Sequence, residues 1–395
     1  MKILRSTKRT GYCLISGCLM AAGLCGTPAY SATFDEALTG GKSSLDMRLR
    51  YESADDSTNK EASAGTLRTR LGYQTGDYGD FSAFAEFEDV RIVAGMDEYA
   101  PVSAGYATVA DPEVTQLNQA FITYKGFTDT TAKLGPQRII LNNARMVGNV
   151  GWRQNEQTFD ALSFVNTSLE KTTITYAFID KVRGITTAFD ADVSDHLLNA
   201  VYSGLPAGNL TGYAVLLEDD NSNASNDTYG LRLDGKSSMS EDKSLIYTVE
   251  IASQSTDDYD ATYSFLEAGL ESHGLTAKLG YEVLGSDSGA YGFQTPLATK
   301  HAFNGWADKF LATPASGLKD LMASVGGSLS GVKLLGVYHS YTADDGGDDF
   351  GSEVDLLAAK KLGKHYSVGA KYAGFSGDSG YSDTDKLWIW GQLTI

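Results

Sequence analysis

Arginines spaced two residues apart are the residues of this sequence best suited to bind anions. Arg48 and Arg50 form one such pair, and Arg68 and Arg70 form another. An arginine binds carboxylates and phosphates through two parallel hydrogen bonds, whereas a lysine acts as a point charge. Ten arginines follow residue 31, and nine of them precede residue 184. This uneven placement predicts an anion-binding side of the fold, with drift in composition as the alternative.

Acidic residues recur beside these arginines at the same spacing. Asp46 and Glu52 flank the first pair, and Glu86 and Glu88 repeat the pattern further along the chain. A row of cations facing a row of carboxylates across a water-filled space would orient dipolar solutes and select ions. The alternative is that the two rows pair with each other and fill that space.

The spacing itself indicates β-strands. Leu45, Met47, Leu49 and Tyr51 alternate with charged residues, and successive side chains of a strand point to opposite faces. The pattern predicts strands near 44–53, 64–75, 79–90, 115–125, 128–138, 156–166, 170–181, 195–203, 208–218, 227–236, 243–254, 259–271, 274–285, 317–328, 331–342, 351–362, 365–376 and 384–395. We therefore predict an all-β protein of about eighteen strands, or of sixteen if the weak segment 195–203 belongs to a loop.

Connections of two lengths alternate between these strands. Short ones such as 125–128 alternate with long ones such as 91–114 and 139–155. Short turns on one side and long loops on the other are typical of a bacterial outer-membrane barrel. An unpaired strand edge is too costly in hydrocarbon, so strand 384–395 must pair with strand 44–53. The predicted fold class is a closed antiparallel transmembrane β-barrel in the outer membrane, with both termini on the periplasmic side.

The first 31 residues have the features of a secretory signal peptide. A basic start is followed by an apolar run at 12–24, which is too short to span a membrane, and by small residues before Ala32. The alternative is a lipoprotein box at 15–18. All three cysteines lie in this segment, so no disulfide is expected in the predicted barrel, residues 32–395.

Charge and motif content exclude other classes of function. The formal charge of −18 argues against a nucleic-acid-binding protein, which needs a basic face. His339 and Ser340 are adjacent, so on one strand their side chains point to opposite faces and cannot form a nucleophile–base pair. We therefore predict that the protein is not an enzyme and uses no cofactor.

A dense acidic segment is the weak candidate for a metal site. Asp344, Asp345, Asp348 and Asp349 offer carboxylate oxygens, which calcium prefers, but their spacing does not match an EF-hand loop. The alternative is a solvated surface, bridged by divalent ions to the phosphates of neighbouring lipopolysaccharide.

Two long connections carry residues suited to narrow a pore. Arg138, Arg145 and Arg153 lie in the first, and we predict that it folds into the lumen with Trp152 as a rigid wall. The alternative is an outer loop packed on its neighbours. In the second, the spacing of Phe303, Trp306 and Phe310 predicts a short amphipathic helix that plugs or caps the pore, or only covers its rim.

Two segments resemble the alginate-export family of outer-membrane barrels. The first runs from 133–141 into the Gly148–Ala161 stretch, with its Trp-Arg-Gln-Asn and Thr-Phe-Asp elements, and the second covers 302–310 with 313–320. The resemblance implies an eighteen-stranded barrel whose electropositive lumen secretes an anionic polysaccharide. It further implies that Arg138, Arg145 and Arg153 contact the anion and that Asp160 fixes them. Pro136 stands where that family usually has arginine, which removes one cation from the set.

These observations predict an outer-membrane channel of the alginate-export type. It would pass anionic solutes, or export an anionic polysaccharide, through a lumen lined by Arg48, Arg50, Arg68 and Arg70. The alternatives are a substrate-specific uptake porin for small carboxylates or other nutrients, and a plugged structural or adhesive barrel. The expected partners are outer-membrane lipid, lipopolysaccharide and the barrel assembly machinery.

Overall fold

The computed structural model describes residues 32–395, and the predicted signal peptide lies outside the described residues. The barrel strands are β1 (Lys42–Asp55), β2 (Ala62–Gln74), β3 (Phe81–Glu98), β4 (Val114–Phe127), β5 (Thr130–Gln137), β6 (Thr158–Asn166), β7 (Thr172–Arg183), β8 (Ala191–Leu205), β9 (Gly208–Glu218), β10 (Ser225–Ser240), β11 (Lys243–Thr256), β12 (Asp260–Ser272), β13 (Leu275–Leu284), β16 (Leu318–Leu329), β17 (Val332–Thr342), β18 (Asp349–Leu362), β19 (Tyr366–Gly377) and β20 (Thr384–Thr394). The other elements are helix α1 (Phe34–Thr39), the short strands β14 (Ser286–Asp287) and β15 (Tyr291–Gly292), and the 3₁₀ turns Thr187–Phe189 and Lys300–Ala302. None of the helices in this part of the chain is long and apolar enough to cross a membrane.

Eighteen strands form one closed antiparallel sheet within residues 32–395. Each strand pairs with its neighbour in the chain, and β20 pairs with β1, so that Arg50 lies opposite Trp390. The predicted closure between the last and first strands is confirmed. Segment β8 is a full strand, so the count is eighteen rather than sixteen. Closure satisfies the edge hydrogen bonds that would otherwise be exposed to lipid.

The two ends of the barrel differ in the length of their connections. At the short-turn end, β12 and β13 are joined by His273 and Gly274, and β16 and β17 by Ser330 and Gly331. All four residues have positive φ, as two-residue hairpin turns require. The opposite, long-loop end carries the predicted long connections, including 138–157 and 285–317. The first strand starts and the last strand ends at the short-turn end.

Side chains alternate between the outside of the barrel and the lumen. Leu49, Leu71, Phe87 and Leu134 are all more than half exposed on the outside. The residues between them are polar and mostly buried inside, as the period-two pattern predicts. The buried core of this protein therefore lies within the lumen, where side chains of the wall meet the long loops.

Candidate functional site in the barrel lumen

Residues 138–157, here called the inserted loop, leave the wall and fold into the lumen. They can do so because β5 ends at Gln137 and β6 begins at Thr158, well below the long-loop rim. The loop crosses to the far wall, where Gln154 Nε2 donates to Thr66 Oγ1 on β2 at 2.8 Å. Gln154 is fully buried. The inserted loop therefore lies inside the lumen and is not an outer loop packed on its neighbours, and its role as a constriction stays a prediction.

The first pair of arginines holds the backbone of the inserted loop. Arg48 donates to the carbonyl oxygens of Trp152 at 2.9 Å and Arg153 at 2.5 Å, and to Gln154 Oε1 at 2.9 Å. Arg50 donates to the carbonyl oxygen of Trp152 at 2.6 Å and also pairs with Asp111. Loop carbonyls buried in this way need donors, and the guanidinium groups supply them. These two arginines thus hold the inserted loop in place inside the lumen.

The second pair of arginines binds carboxylates of the wall and the loop. Arg68 pairs with Asp46. Arg70 pairs with Glu88 and lies 3.3 Å from Glu156 Oε1 of the inserted loop. All the guanidinium groups of β1 and β2 are at least nine-tenths buried. The rows of opposite charge therefore pair across strands, which was the alternative to an open transverse field.

The three arginines of the inserted loop each meet a carboxylate inside the barrel. Arg138 Nε donates to Glu156 Oε1 at 2.6 Å, and Arg145 Nε donates to Glu282 Oε1 on β13 at 2.7 Å. Burial opposes the charged form of Arg145, but Glu282 and Tyr263 outweigh it and raise its pKa. Arg145 therefore stays charged, and its ion pair with Glu282 fastens the inserted loop to β13.

Arg153 has the largest set of carboxylate partners in the inserted loop. Its Nη1 donates to both oxygens of Glu52 at 3.0 Å, and its Nη2 donates to Asp308 at 3.1 Å. Burial opposes the charge of Arg153, but Glu52, Asp111 and Asp308 outweigh it and raise the pKa above the ordinary value. Arg153 thus joins the wall, the inserted loop and the second long loop.

The role implied for Asp160 is wrong. Asp160 accepts two hydrogen bonds from Arg183 at 2.7 and 2.8 Å and contacts none of the three loop arginines. Its neighbours Phe159 and Ala161 are buried in the lumen core, so alternation along β6 turns Asp160 to the outside. The partners that fix the loop arginines are Glu52, Glu156 and Glu282 instead.

Residues 285–317, here called the second loop, also enter the lumen and meet the inserted loop. Gly148 N donates to the carbonyl oxygen of Leu297 at 2.8 Å. Val150 N donates to Thr299 Oγ1 at 3.1 Å. A Cβ on Gly148 would lie 2.2 Å from Thr299 Oγ1, so only glycine permits this approach. The two loops therefore form one packed partition across the barrel.

The predicted amphipathic helix around Phe303, Trp306 and Phe310 is absent. A 3₁₀ turn ends at Ala302, and irregular turns follow. Asn304, Gly305 and Asp308 have positive φ, which a helix cannot accommodate. The N–H groups of Trp306 and Ala307 donate to the wall carboxylates of Asp355 at 3.2 Å and Glu353 at 2.6 Å instead of to carbonyls one turn earlier.

The aromatic residues of both loops pack inside the barrel. Phe303 lies beneath the guanidinium of Arg145, with 4.8 Å between that group and the ring centre. Phe310 packs against Tyr341 with ring centres 4.6 Å apart. Both therefore belong to the partition and not to an outer cap.

Three of the four tryptophans of the chain lie around one ammonium group, and the fourth, Trp390, packs against Trp152. Lys371 Nζ lies 3.6 Å from the ring centre of Trp306 and 4.4 Å from that of Trp152. The ring of Trp152 is 5.8 Å from that of Trp388 and 5.4 Å from that of Trp390. Cation–π contacts of this kind stabilise a desolvated charge. The tryptophan cluster therefore fastens both loops to β19 and β20.

His301 lies at the centre of this junction and is held neutral. Its Nδ1 lies 2.6 Å from Asp308 Oδ1, its Nε2 lies 2.7 Å from Lys371 Nζ, and its ring stacks on Trp152. Burial lowers the pKa of His301 to about 3, with Asp308 opposing the shift and Lys371 adding to it. A neutral imidazole accepts a hydrogen bond from the lysine while donating to the aspartate.

The partition leaves a chamber on each side. The outer chamber, towards the long loops, has a volume of about 850 Å³ and includes Arg153, Lys300 and Lys386. Its lining also includes the apolar and aromatic residues Phe189, Leu217, Tyr259, Tyr291 and Leu297, and the acidic residues Asp195, Glu218, Asp219, Asp257, Asp258 and Asp308. The inner chamber, towards the short turns, also has about 850 Å³ and includes Arg232, Lys236 and Lys278. No residue lines both chambers.

Lys300 is a candidate residue that the sequence analysis missed. It lines the outer chamber, is partly exposed there, and its ammonium has no hydrogen-bond or ion-pair partner among residues 32–395. Burial and the nearby Arg145 lower the pKa of Lys300. The search for arginine pairs could not find it, because a single lysine in a long loop has no pattern. It is the cation of this chamber most available to a solute.

The acidic segment near 344–349 takes part in loop contacts. Asp344 Oδ1 lies 3.0 Å from Lys319 Nζ, and Asp344 Oδ2 accepts from Ser286 N at 3.0 Å. Asp349 accepts from Gly351 N at 2.9 Å. Among the described residues no group of three or more His, Asp or Glu side chains is arranged to hold a metal ion. Calcium binding by Asp344, Asp345, Asp348 and Asp349 stays a prediction.

Comparison with solved structures gives the same architecture. Acinetobacter baumannii OccAB2 matches with a TM-score of 0.73 at 13% identity, over 91% of this chain and 99% of that one. Pseudomonas aeruginosa OccK9 (OpdG) matches with a TM-score of 0.71 at 15% identity, over 91% and 100%. Pseudomonas aeruginosa OpdK with vanillate matches with a TM-score of 0.70 at 15% identity, over 91% and 99%. At these identities the likeness shows the fold alone.

Comparison of the sequence gives the family. A search of curated proteins found no match. The family model described as alginate export matches residues 42–282, which is more than half of the chain. That match covers β1 to most of β13, including the arginine pairs and the inserted loop. The protein is an outer-membrane porin channel, and it belongs to the alginate-export family.

Proposed function

We propose that this channel passes small carboxylates with an apolar body, and that the outer chamber is where it recognises them. The observation that carries the proposal is the composition of that chamber. Three cations, Arg153, Lys300 and Lys386, line it together with the apolar and aromatic residues Phe189, Tyr259 and Tyr291 and with six acidic residues. Asp308 is one of these acids and pairs with both Arg153 and Lys386, whereas the ammonium of Lys300 has no carboxylate partner among residues 32–395. A carboxylate therefore meets Lys300 first, while its apolar body is removed from water against the apolar residues.

The partition argues for small solutes over a polysaccharide. The inserted loop and the second loop fill the middle of the lumen, with Val147, Phe159 and Leu297 packed between the chambers. A polymer must thread the whole length at once, whereas a small solute needs only a local opening. A barrel of the same fold, Pseudomonas aeruginosa OpdK, has a solved structure with vanillate, and vanillate is an aromatic carboxylate.

Within the partition, Arg48 and Arg50 act as positioning residues. Their side chains are buried and bind loop carbonyls, so they hold the constriction and do not meet the solute. Arg138 and Arg145 are likewise occupied by Glu156 and Glu282. Arg153 and Lys386 are also paired, both with Asp308, so selectivity for anions depends chiefly on Lys300.

Flux into proteoliposomes tests the proposed function. Purified protein is reconstituted, and the influx of benzoate is compared with that of a uronate hexasaccharide. We expect benzoate influx well above protein-free vesicles and no hexasaccharide influx. Hexasaccharide influx at a comparable rate would support polysaccharide export instead, and an absence of any flux would support a plugged barrel.

A further inference from the structure

A groove on the lipid-facing wall lies outside the lumen site. It crosses β18 to β20 and reaches β1, has a volume of about 520 Å³, and is bordered by Leu49, Val368 and Ile389. Ala358 and Ala370 form its floor and also line a second outer groove of about 730 Å³, which extends towards β16. Small residues on this part of the outer wall thus leave a continuous apolar depression.

One lysine faces lipid at the short-turn end of this groove. Lys360 lines the groove, is exposed, and has no hydrogen-bond or ion-pair partner among residues 32–395. Its side chain extends towards the turn at Gly331, with Cε 4.0 Å from the position of a Cβ there. A lysine that faces hydrocarbon directs its ammonium to the membrane surface, where lipid phosphates lie.

The rim around Lys360 is basic and contains no carboxylate side chain. Segments 327–337 and 358–370 contain no Asp or Glu. Lys360 faces lipid and Lys364 lies in the adjoining turn, whereas Lys333 and Lys361 share the inward faces of their strands with His339 and Glu353. Other short turns carry acids, such as Asp129. In a chain with a formal charge of −18, this rim is an exception that suits an anionic headgroup.

We propose that this groove binds an anionic glycerophospholipid of the leaflet at the short-turn end. The phosphate lies on Lys360 and Lys364, and an acyl chain occupies the depression over Ala358 and Ala370. The groove supplies apolar contact that any acyl chain can use, whereas the acid-free basic rim supplies the preference for a negative headgroup.

Native mass spectrometry of the full barrel in detergent tests the proposal. The protein is titrated with dioleoylphosphatidylglycerol and, separately, with dioleoylphosphatidylcholine. We expect one tightly held phosphatidylglycerol and much weaker binding of phosphatidylcholine. Each lysine near a membrane surface contributes about a fivefold preference, so K360Q/K364Q should bind phosphatidylglycerol about 25-fold more weakly. A370L, which fills the floor, should weaken both lipids.

A matched variant and a second method keep the test decisive. K125Q/K171Q removes two lysines from the short-turn end of other parts of the barrel, and we expect it to bind as wild type does. Unchanged binding in K360Q/K364Q, or equal binding of the two lipids by wild type, would overturn the proposal. The described residues contain no cysteine, so A370C can be cross-linked selectively. A cross-linked dimer in the membrane would mean that a second copy occupies the groove, which also overturns it.

Discussion

Removal of Arg48 should release the inserted loop. In the Arg48→Ala variant the carbonyl oxygens of Trp152 and Arg153 and the amide of Gln154 lose hydrogen bonds of 2.9, 2.5 and 2.9 Å. A hydrogen bond from a charged donor contributes about 1.5–3 kcal/mol. Water in the lumen replaces part of these hydrogen bonds, and Arg50 still donates to Trp152. We therefore expect the variant to lose about 3 kcal/mol of the free energy that keeps the inserted loop closed.

That free energy corresponds to roughly a hundredfold change in the ratio of open to closed loop. Single-channel recording in a planar bilayer measures it as the fraction of time spent at high conductance. The matched control is Arg91→Ala, because Arg91 pairs with Asp89 at an exposed site outside the partition. If Arg48→Ala shows the wild-type conductance and open fraction, the inserted loop does not control the channel and the reasoning fails.

Three further predictions concern the junction and the outer chamber. Lys300→Gln should reduce benzoate permeability severalfold with little change in stability, because the ammonium of Lys300 has no partner to lose among residues 32–395. The measurement is benzoate flux into proteoliposomes, with Lys171→Gln as the control. In the closed loops the pKa of His301 is about 3, whereas the pKa of a released imidazole is near 6.5, so lowering the pH from 7 to 5 weakens loop closure by roughly 2 kcal/mol. The frequency of channel opening should therefore rise as the pH falls through that range. In the His301→Gln variant the opening frequency should no longer depend on pH. Lys371→Met removes the ammonium from the tryptophan cluster, so the intensity of tryptophan fluorescence should change and the channel should open more often. Unchanged fluorescence would show that the ammonium does not contact the tryptophan rings.

Much of the fold could be predicted from sequence because a barrel wall repeats one simple rule. Period-two alternation and the two lengths of connection predicted eighteen strands, and the inward positions of Arg48 and Arg70 followed from them. The role of Asp160 was implied by the family resemblance and not by alternation, and alternation along β6 turns Asp160 to the outside, where it pairs with Arg183. Residue spacing also predicted a helix near Trp306, where wall carboxylates capture the backbone N–H groups instead.

The partners inside the lumen could not be predicted, because they come from segments far apart in the chain. Arg145 meets Glu282 and Arg153 meets Asp308 only after both long loops have folded inwards. Sequence patterns identify which residues face the lumen but not which loop fills it. Lys300 lines the outer chamber only because the second loop folds into the lumen, so the sequence alone could not identify it as a cation that a solute can reach.

The most direct test of the central claim is the reversal potential of wild-type protein in a planar bilayer under a gradient of potassium benzoate. The account predicts that benzoate is more permeant than potassium, and that Lys300→Gln moves the reversal potential towards that of a non-selective pore. A potential that shows potassium to be the more permeant ion would contradict it, because the acidic residues at the mouth would then govern passage instead of the cations of the outer chamber.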